Sequence, residues 1–274
     1  MLTKSLKAKW WSWLGRWKAK NGDYLAAILY FQRVLSLFPD SVHARSYIGY
    51  CHSALGQYDE AVKAFDHVLQ IKPDSAYAHA QLGKAFTYLG NSQAAVDEFN
   101  RAFRIQPKLR NDAACQGPFA SALAKLGQID KALHAYREAA RLDPKSAEAQ
   151  FGLGWALFNL EKYSEAEQPL RAALELNPDH ADAHYNLGLA LHELGQGVAA
   201  REHLENCVRL KPEFPDAQYC LGLAYFNEKR FDEAIAAYLE GIKLRPDYAV
   251  RPADCGDKKR WLSSLADPFR RSNS

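Results

Sequence analysis

Residues 42–75 read VHARSYIGYCHSALGQYDEAVKAFDHVLQIKPDS, and residues 76–109 read AYAHAQLGKAFTYLGNSQAAVDEFNRAFRIQPKL. Laid one above the other, these 34-residue stretches place Gly49 over Gly83, Gly56 over Gly90, Ala61 over Ala95, Phe65 over Phe99 and Pro73 over Pro107. A fixed period of this length marks a repeat array, in which each unit buries its apolar faces only by stacking on its neighbours. Following the proline outward gives Pro39, Pro73, Pro107, Pro144, Pro178, Pro212 and Pro246, which divide the chain into repeats 8–41, 42–75, 76–109, 113–146, 147–180, 181–214 and 215–248. The one break in register is the insertion of Arg110, Asn111 and Asp112 between the third and fourth repeats.

Numbered within this frame, position 20 is alanine in every repeat, from Ala27 to Ala234, so only a small side chain fits there. Position 8 is Gly15, Gly49, Gly83, Ala120, Gly154, Gly188 and Gly222, as expected where two helices of a hairpin approach closely. Apolar residues at 7, 11 and 14, then at 20, 24, 27 and 30, carry the period of two amphipathic helices. Position 30, from Leu37 to Leu244, is expected to complete the core. Gly22, Gly56, Gly90, Gly127 and Gly195 at position 15 stop the first helix, and the proline at 32 ends the second. Pro118 and Pro169 fall inside helical stretches and predict local disturbance; with the insertion, Pro118 marks an expected hinge between repeats three and four.

This combination resembles the tetratricopeptide repeat (TPR) family over residues 8–248. The expected fold is therefore all-α: a right-handed superhelical solenoid of seven TPR helical hairpins plus a short C-terminal capping helix. Residues 1–7 read as a basic N-terminal extension. Residues 249–274 supply the capping helix, with Trp261, Leu262 and Leu265, followed by a disordered basic tail. One departure is position 4, where the family often has Trp: here only Trp11 complies, against Arg45, His79, Gln116, Gln150, His184 and Gln218. The resemblance implies that the first helices of successive hairpins line a concave surface on which a ligand lies.

Positions 2, 5, 9, 12 and 13 fall opposite the hairpin core and should face that surface. In repeats five to seven they supply Phe151, Trp155, Phe158, Tyr185, Leu189, His192, Tyr219, Leu223 and Phe226, an apolar strip suited to an amphipathic helix or an extended peptide. The alternative is that adjacent repeats bury these rings. In repeats one to three the same columns hold Ser12, Arg16, Ser46, Tyr50, Lys84 and Tyr88, which is more polar and somewhat basic. The Lys and Asn pattern with which co-chaperone TPR domains grip a C-terminal carboxylate has no match here, and neither has the asparagine ladder of sugar-transferring TPR enzymes.

The remaining totals exclude more than they assert. With 35 basic and 32 acidic residues the net charge of +3 is too small to point to nucleic acid. The positive excess is local, since residues 1–20 hold six lysines or arginines and no acid. Five scattered cysteines without a C-x-x-C argue against a disulfide framework and a zinc site. His180 and His184 sit four apart, but one closes a repeat and the other opens the next helix. No phosphate loop or metalloprotease motif occurs, so the expected function is a non-catalytic interaction scaffold or adaptor without cofactor, metal or small-molecule substrate, supporting assembly of a multi-protein complex. The expected setting is cytoplasmic. The competing reading is a peripheral membrane adaptor, because Trp10, Trp13 and Trp17, bracketed by Arg16 and Lys20, form an N-terminal contact surface facing lipid or a membrane-protein complex.

Overall fold

A computed structural model describes residues 3–246; the expected capping helix and tail lie outside the described residues. The described residues form fourteen α-helices, one pair to each of the seven repeats, and divide into two units at Leu126/Gly127. The first unit contains α1 (Lys4–Lys20), α2 (Tyr24–Leu37), α3 (Val42–Ala54), α4 (Tyr58–Ile71), α5 (Ala76–Tyr88), α6 (Ser92–Ile105), a 3-10 turn (Pro107–Asn111) and α7 (Ala113–Lys125). The second contains α8 (Ile129–Leu142), α9 (Ala147–Asn159), α10 (Tyr163–Leu176), α11 (Ala181–Glu193), α12 (Gly197–Leu210), α13 (Pro215–Asn227) and α14 (Phe231–Leu244). Helix α1 begins before the repeat frame does, at Lys4, with the Thr3 hydroxyl accepting from the Leu6 N–H.

Within each unit, paired helices pack antiparallel and each second helix packs on the first helix of the next repeat. The alanine column at position 20 is buried throughout. At Gly83 an added Cβ would stand 2.8 Å from the Phe99 ring, which is itself fully buried, so the glycine is what lets α5 and α6 close. Position 27 (Val34, Val68, Ala102, Ala139, Ala173, Cys207, Gly241) is buried in every repeat. Position 30 completes the core only in part: Leu37, Leu142 and Leu210 are half-buried, with Leu37 packed on the core, whereas Ile71, Ile105, Leu176 and Leu244 are exposed, this position being the last residue of each second helix, at the edge of the face that packs.

Position 15 shows how the hairpin turn works. Gly56 adopts φ 73°, and the turn is closed by Gly56 N–H donating to Ser53 O and Gln57 N–H to His52 O. In repeats five and seven the same backbone is made by Glu161 (φ 61°) and Lys229 (φ 62°), side chains held in a left-handed conformation that glycine takes freely.

The position 4 departures also have a structural reason. The Arg45 guanidinium, His79 Nε2 and His184 Nε2, and the Gln150 and Gln218 amides each bond the carbonyl of the proline six residues earlier, at 2.9–3.3 Å. In the fourth repeat, where the insertion intervenes, Gln116 bonds Arg110 O at 2.7 Å instead. A polar side chain thus satisfies a carbonyl stranded by the proline turn. Pro118 and Pro169 do not end their helices, since α7 and α10 run through them. Helix α7 packs on α5 and α6, so the chain divides after it, at Leu126/Gly127, and not at the expected hinge over Asn111–Pro118.

Candidate functional site

The first unit contains an open cleft of about 1050 Å³. Helix α1 contributes Arg16, Ala19 and Lys20; α3 contributes Val42, His43, Ser46, Tyr47 and Tyr50; the turn before α5 gives Lys72 and Ser75, and α5 gives Tyr77. Most of these stand at positions 2, 5, 9, 12 and 13 of their repeats. A smaller cleft of about 530 Å³ adjoins it, sharing Arg16 and His43 and adding Ser5, Lys9, Ser12 and Trp13.

The aromatic rings of the larger cleft are held from beneath. Tyr47 stacks on the buried ring of Phe31 at 4.8 Å, Tyr77 meets the buried Phe65 edge-on at 6.1 Å, and Tyr50 meets Tyr24 at 6.2 Å. Rings fixed in this way lose little freedom when a ligand arrives. Burial, with Tyr47 and Tyr50 adding to it, pushes the Tyr77 hydroxyl up to about 12, leaving it a neutral hydrogen-bond donor. His43 is lowered by burial and then by Arg16, so it stays uncharged at neutral pH. The fixed charge is therefore Arg16, Lys20 and Lys72; no carboxylate lines the cleft, and none of the three is ion-paired among the described residues. An exposed cationic cleft floored by tyrosines attracts an acidic or otherwise electron-rich chain and repels a basic one.

The strip expected in the second unit is different. Phe151, Trp155, Phe158, Tyr185 and Leu189 are buried, Trp155 to 1% exposure; His192, Tyr219 and Leu223 are half-buried, and only Phe226 is well exposed. The rings satisfy one another and the repeat turns. Phe151 lies 4.5 Å from His180, Phe158 5.3 Å from Tyr163, Tyr185 4.8 Å from Phe214, Tyr219 5.0 Å from Tyr238 and Phe226 5.7 Å from Phe231. Large side chains in these columns fill the space that a ligand would take. The same columns carry Ser12, Ser46 and Ala80 at position 5 of the first three repeats, and this difference in size was the available signal.

Nothing in the described residues groups three His, Cys, Asp or Glu as a metal site. His180 caps α11, its Nδ1 accepting from the Ala183 N–H, while His184 Nδ1 and His203 Nδ1 share a hydrogen bond of 2.9 Å. Burial pushes the thiols of Cys51 and Cys115 up to about 11 and that of Cys207 to about 12, so they are protonated and poor nucleophiles. No described helix is long and apolar enough to cross a membrane.

Family profiles described as tetratricopeptide repeat match residues 18–85, 76–109, 118–175, 156–205 and 215–248. The chain belongs to the tetratricopeptide repeat family. No curated protein matches it. Among solved structures it is similar to YrrB, described as a TPR protein with an unusual peptide-binding site, at 24% identity and TM-score 0.56, over 66% of this chain and 92% of that one. It is also similar to Pseudomonas aeruginosa pilF (19% identity, TM-score 0.63, covering 76% and 93%) and to MamA from Desulfovibrio magneticus RS-1 (21%, 0.55, covering 64% and 97%). At these identities the likeness is one of fold.

Proposed function

We propose that the protein is a non-catalytic interaction scaffold that holds an extended, acidic segment of a partner polypeptide in the cleft of its first three repeats, supporting assembly of a multi-protein complex. The observation that carries this reading is the conjunction of Arg16, Lys20 and Lys72, none of them ion-paired, with the core-anchored rings of Tyr47 and Tyr77 along one open concavity. Carboxylates of the segment pair with the cations, its aromatic or proline residues lie on the tyrosines, and the Tyr77 hydroxyl donates to its backbone. A peptide ligand is supported by YrrB, a protein of the same fold that is described as having an unusual peptide-binding site. Phe226, with the half-buried Tyr219 and Leu223, offers a smaller apolar contact in the second unit.

Selection of random displayed peptides on the immobilised protein tests the proposal. The selected set should be enriched in Asp and Glu beside Tyr, Phe or Pro, and Arg16→Glu with Lys72→Glu should reduce their affinity at least about tenfold at low salt. A selected set that is basic, or that binds the double variant equally well, would overturn the assignment.

A further inference from the structure

The first helix differs from those of the other repeats at three positions. Positions 3, 6 and 10 receive the preceding hairpin; elsewhere positions 3 and 10 are always Ala or Cys, as in Ala183 and Ala190 of repeat six and Ala217 and Ala224 of repeat seven, all buried, while position 6 varies from Gly152 to Tyr47, which stacks on Phe31. In the first repeat they are Trp10, Trp13 and Trp17, each 50–55% exposed, with Leu6 beside them. The Trp10 and Trp13 rings stack at 5.4 Å on the arc of α1 opposite its buried Ala8, Gly15 and Ala19. Lys9 and Lys20 flank that arc on one side and Lys7 on the other, and α1 holds no acid.

We propose that this face of α1 is a docking surface for an anionic lipid bilayer. Trp10 and Trp17 stand where every other repeat uses Ala or Cys, so this face does not match the surface with which the other repeats receive a hairpin, and a second copy stacked head to tail fits it poorly. Indole is suited to the headgroup boundary, with an apolar body and one N–H donor, and the unopposed lysines match anionic headgroups. The helix lies along the membrane surface and does not cross it. Trp10, Trp17, Lys4 and Lys7 belong to neither cleft, whereas Trp13 and Lys9 also line the smaller cleft and Lys20 the larger one.

The test is co-sedimentation of the full chain with vesicles of phosphatidylcholine alone or with about one third phosphatidylserine. Binding is expected to the anionic vesicles and not to the neutral ones. Changing Trp10, Trp13 and Trp17 together to Ala should reduce it at least about tenfold at physiological salt, and Lys7→Glu with Lys9→Glu should reduce it about tenfold at low salt. Far-ultraviolet circular dichroism reads whether the variants keep their helices. On the intact chain, lipids brominated near the headgroup should quench tryptophan emission, which needs no variant. Failure of the intact chain to bind anionic vesicles, absence of quenching, or undiminished binding by a folded triple variant would each overturn the proposal. So would a triple variant that loses a protein partner while the intact chain ignores lipid.

Discussion

Trp155→Ala separates an apolar groove from an apolar core in the second unit. Trp155 is 1% exposed on α9, while Phe226 on α13 is 54% exposed, although both stand in columns expected to face a ligand. A buried tryptophan removes about 150–250 Å² from water, worth roughly 4–6 kcal/mol gross at about 25 cal/mol per Å². Cutting it to alanine leaves a cavity and should cost about 3–5 kcal/mol. Phe226→Ala gives up about half of a smaller ring and should cost about 1–2 kcal/mol. Urea unfolding followed by helical ellipticity reads the difference: at about 1–3 kcal/mol per molar, Trp155→Ala should unfold at least about 1 M earlier than the parent. Because repeat arrays can melt in parts, the loss can appear as an early separate transition. Coincident curves for the parent and Trp155→Ala would place that ring back on the accessible surface and refute the burial argument.

Glu161→Gly and Lys229→Gly should each stabilise the protein, by about 0.5–1 kcal/mol, because glycine takes the positive φ without strain. The gain should be larger at Glu161, an acid just past the C-terminus of α9 where the helix dipole is unfavourable to it, and thermal melts would check the order. Gly83→Ala should destabilise by about 1–3 kcal/mol despite its better helix propensity, and Phe99→Leu added to it should recover part of the loss in a double-mutant cycle. Acid should also weaken the second unit. Burial, then His184 and Arg171, depress His203 from its ordinary 6.5 to about 4. The unfolded chain then binds the proton more readily, so this contribution is whole above about pH 6.5 and is lost as pH falls towards 4. The loss should amount to about 2–3 kcal/mol and be absent in His203→Gln, as measured by urea midpoints across that range.

Much of the fold was legible because its determinants are steric and recur. Ala27 to Ala234, the close-approach glycines and the turn glycines each report a space that only a small side chain or a left-handed backbone fills. Position 30 misled in part, because its leucines and isoleucines keep the helical period yet end their helices, and a period does not say where the neighbouring helix stops. The candidate site was half legible. The columns facing the concave side follow from helix geometry, and they contain Arg16, Ser46 and Tyr50 of the open cleft. Which stretch stays open depends on volume: Phe151, Trp155 and Tyr185 occupy their own concavity, whereas Ser12 and Ser46 leave theirs to a ligand. Apolar character alone drew attention to Phe151, Trp155 and Tyr185, which are buried, since large rings suit a core as well as a groove.

The cleft of the first three repeats is proposed to be where a partner chain lies. The most direct test is a titration of the isotope-labelled protein with one selected acidic peptide, followed by amide chemical shifts. The largest changes should gather at Arg16, Lys20, Ser46, Tyr50, Lys72 and Tyr77 and shrink as salt is added. Changes gathered instead at Tyr219, Leu223 and Phe226, indifferent to salt, would contradict it.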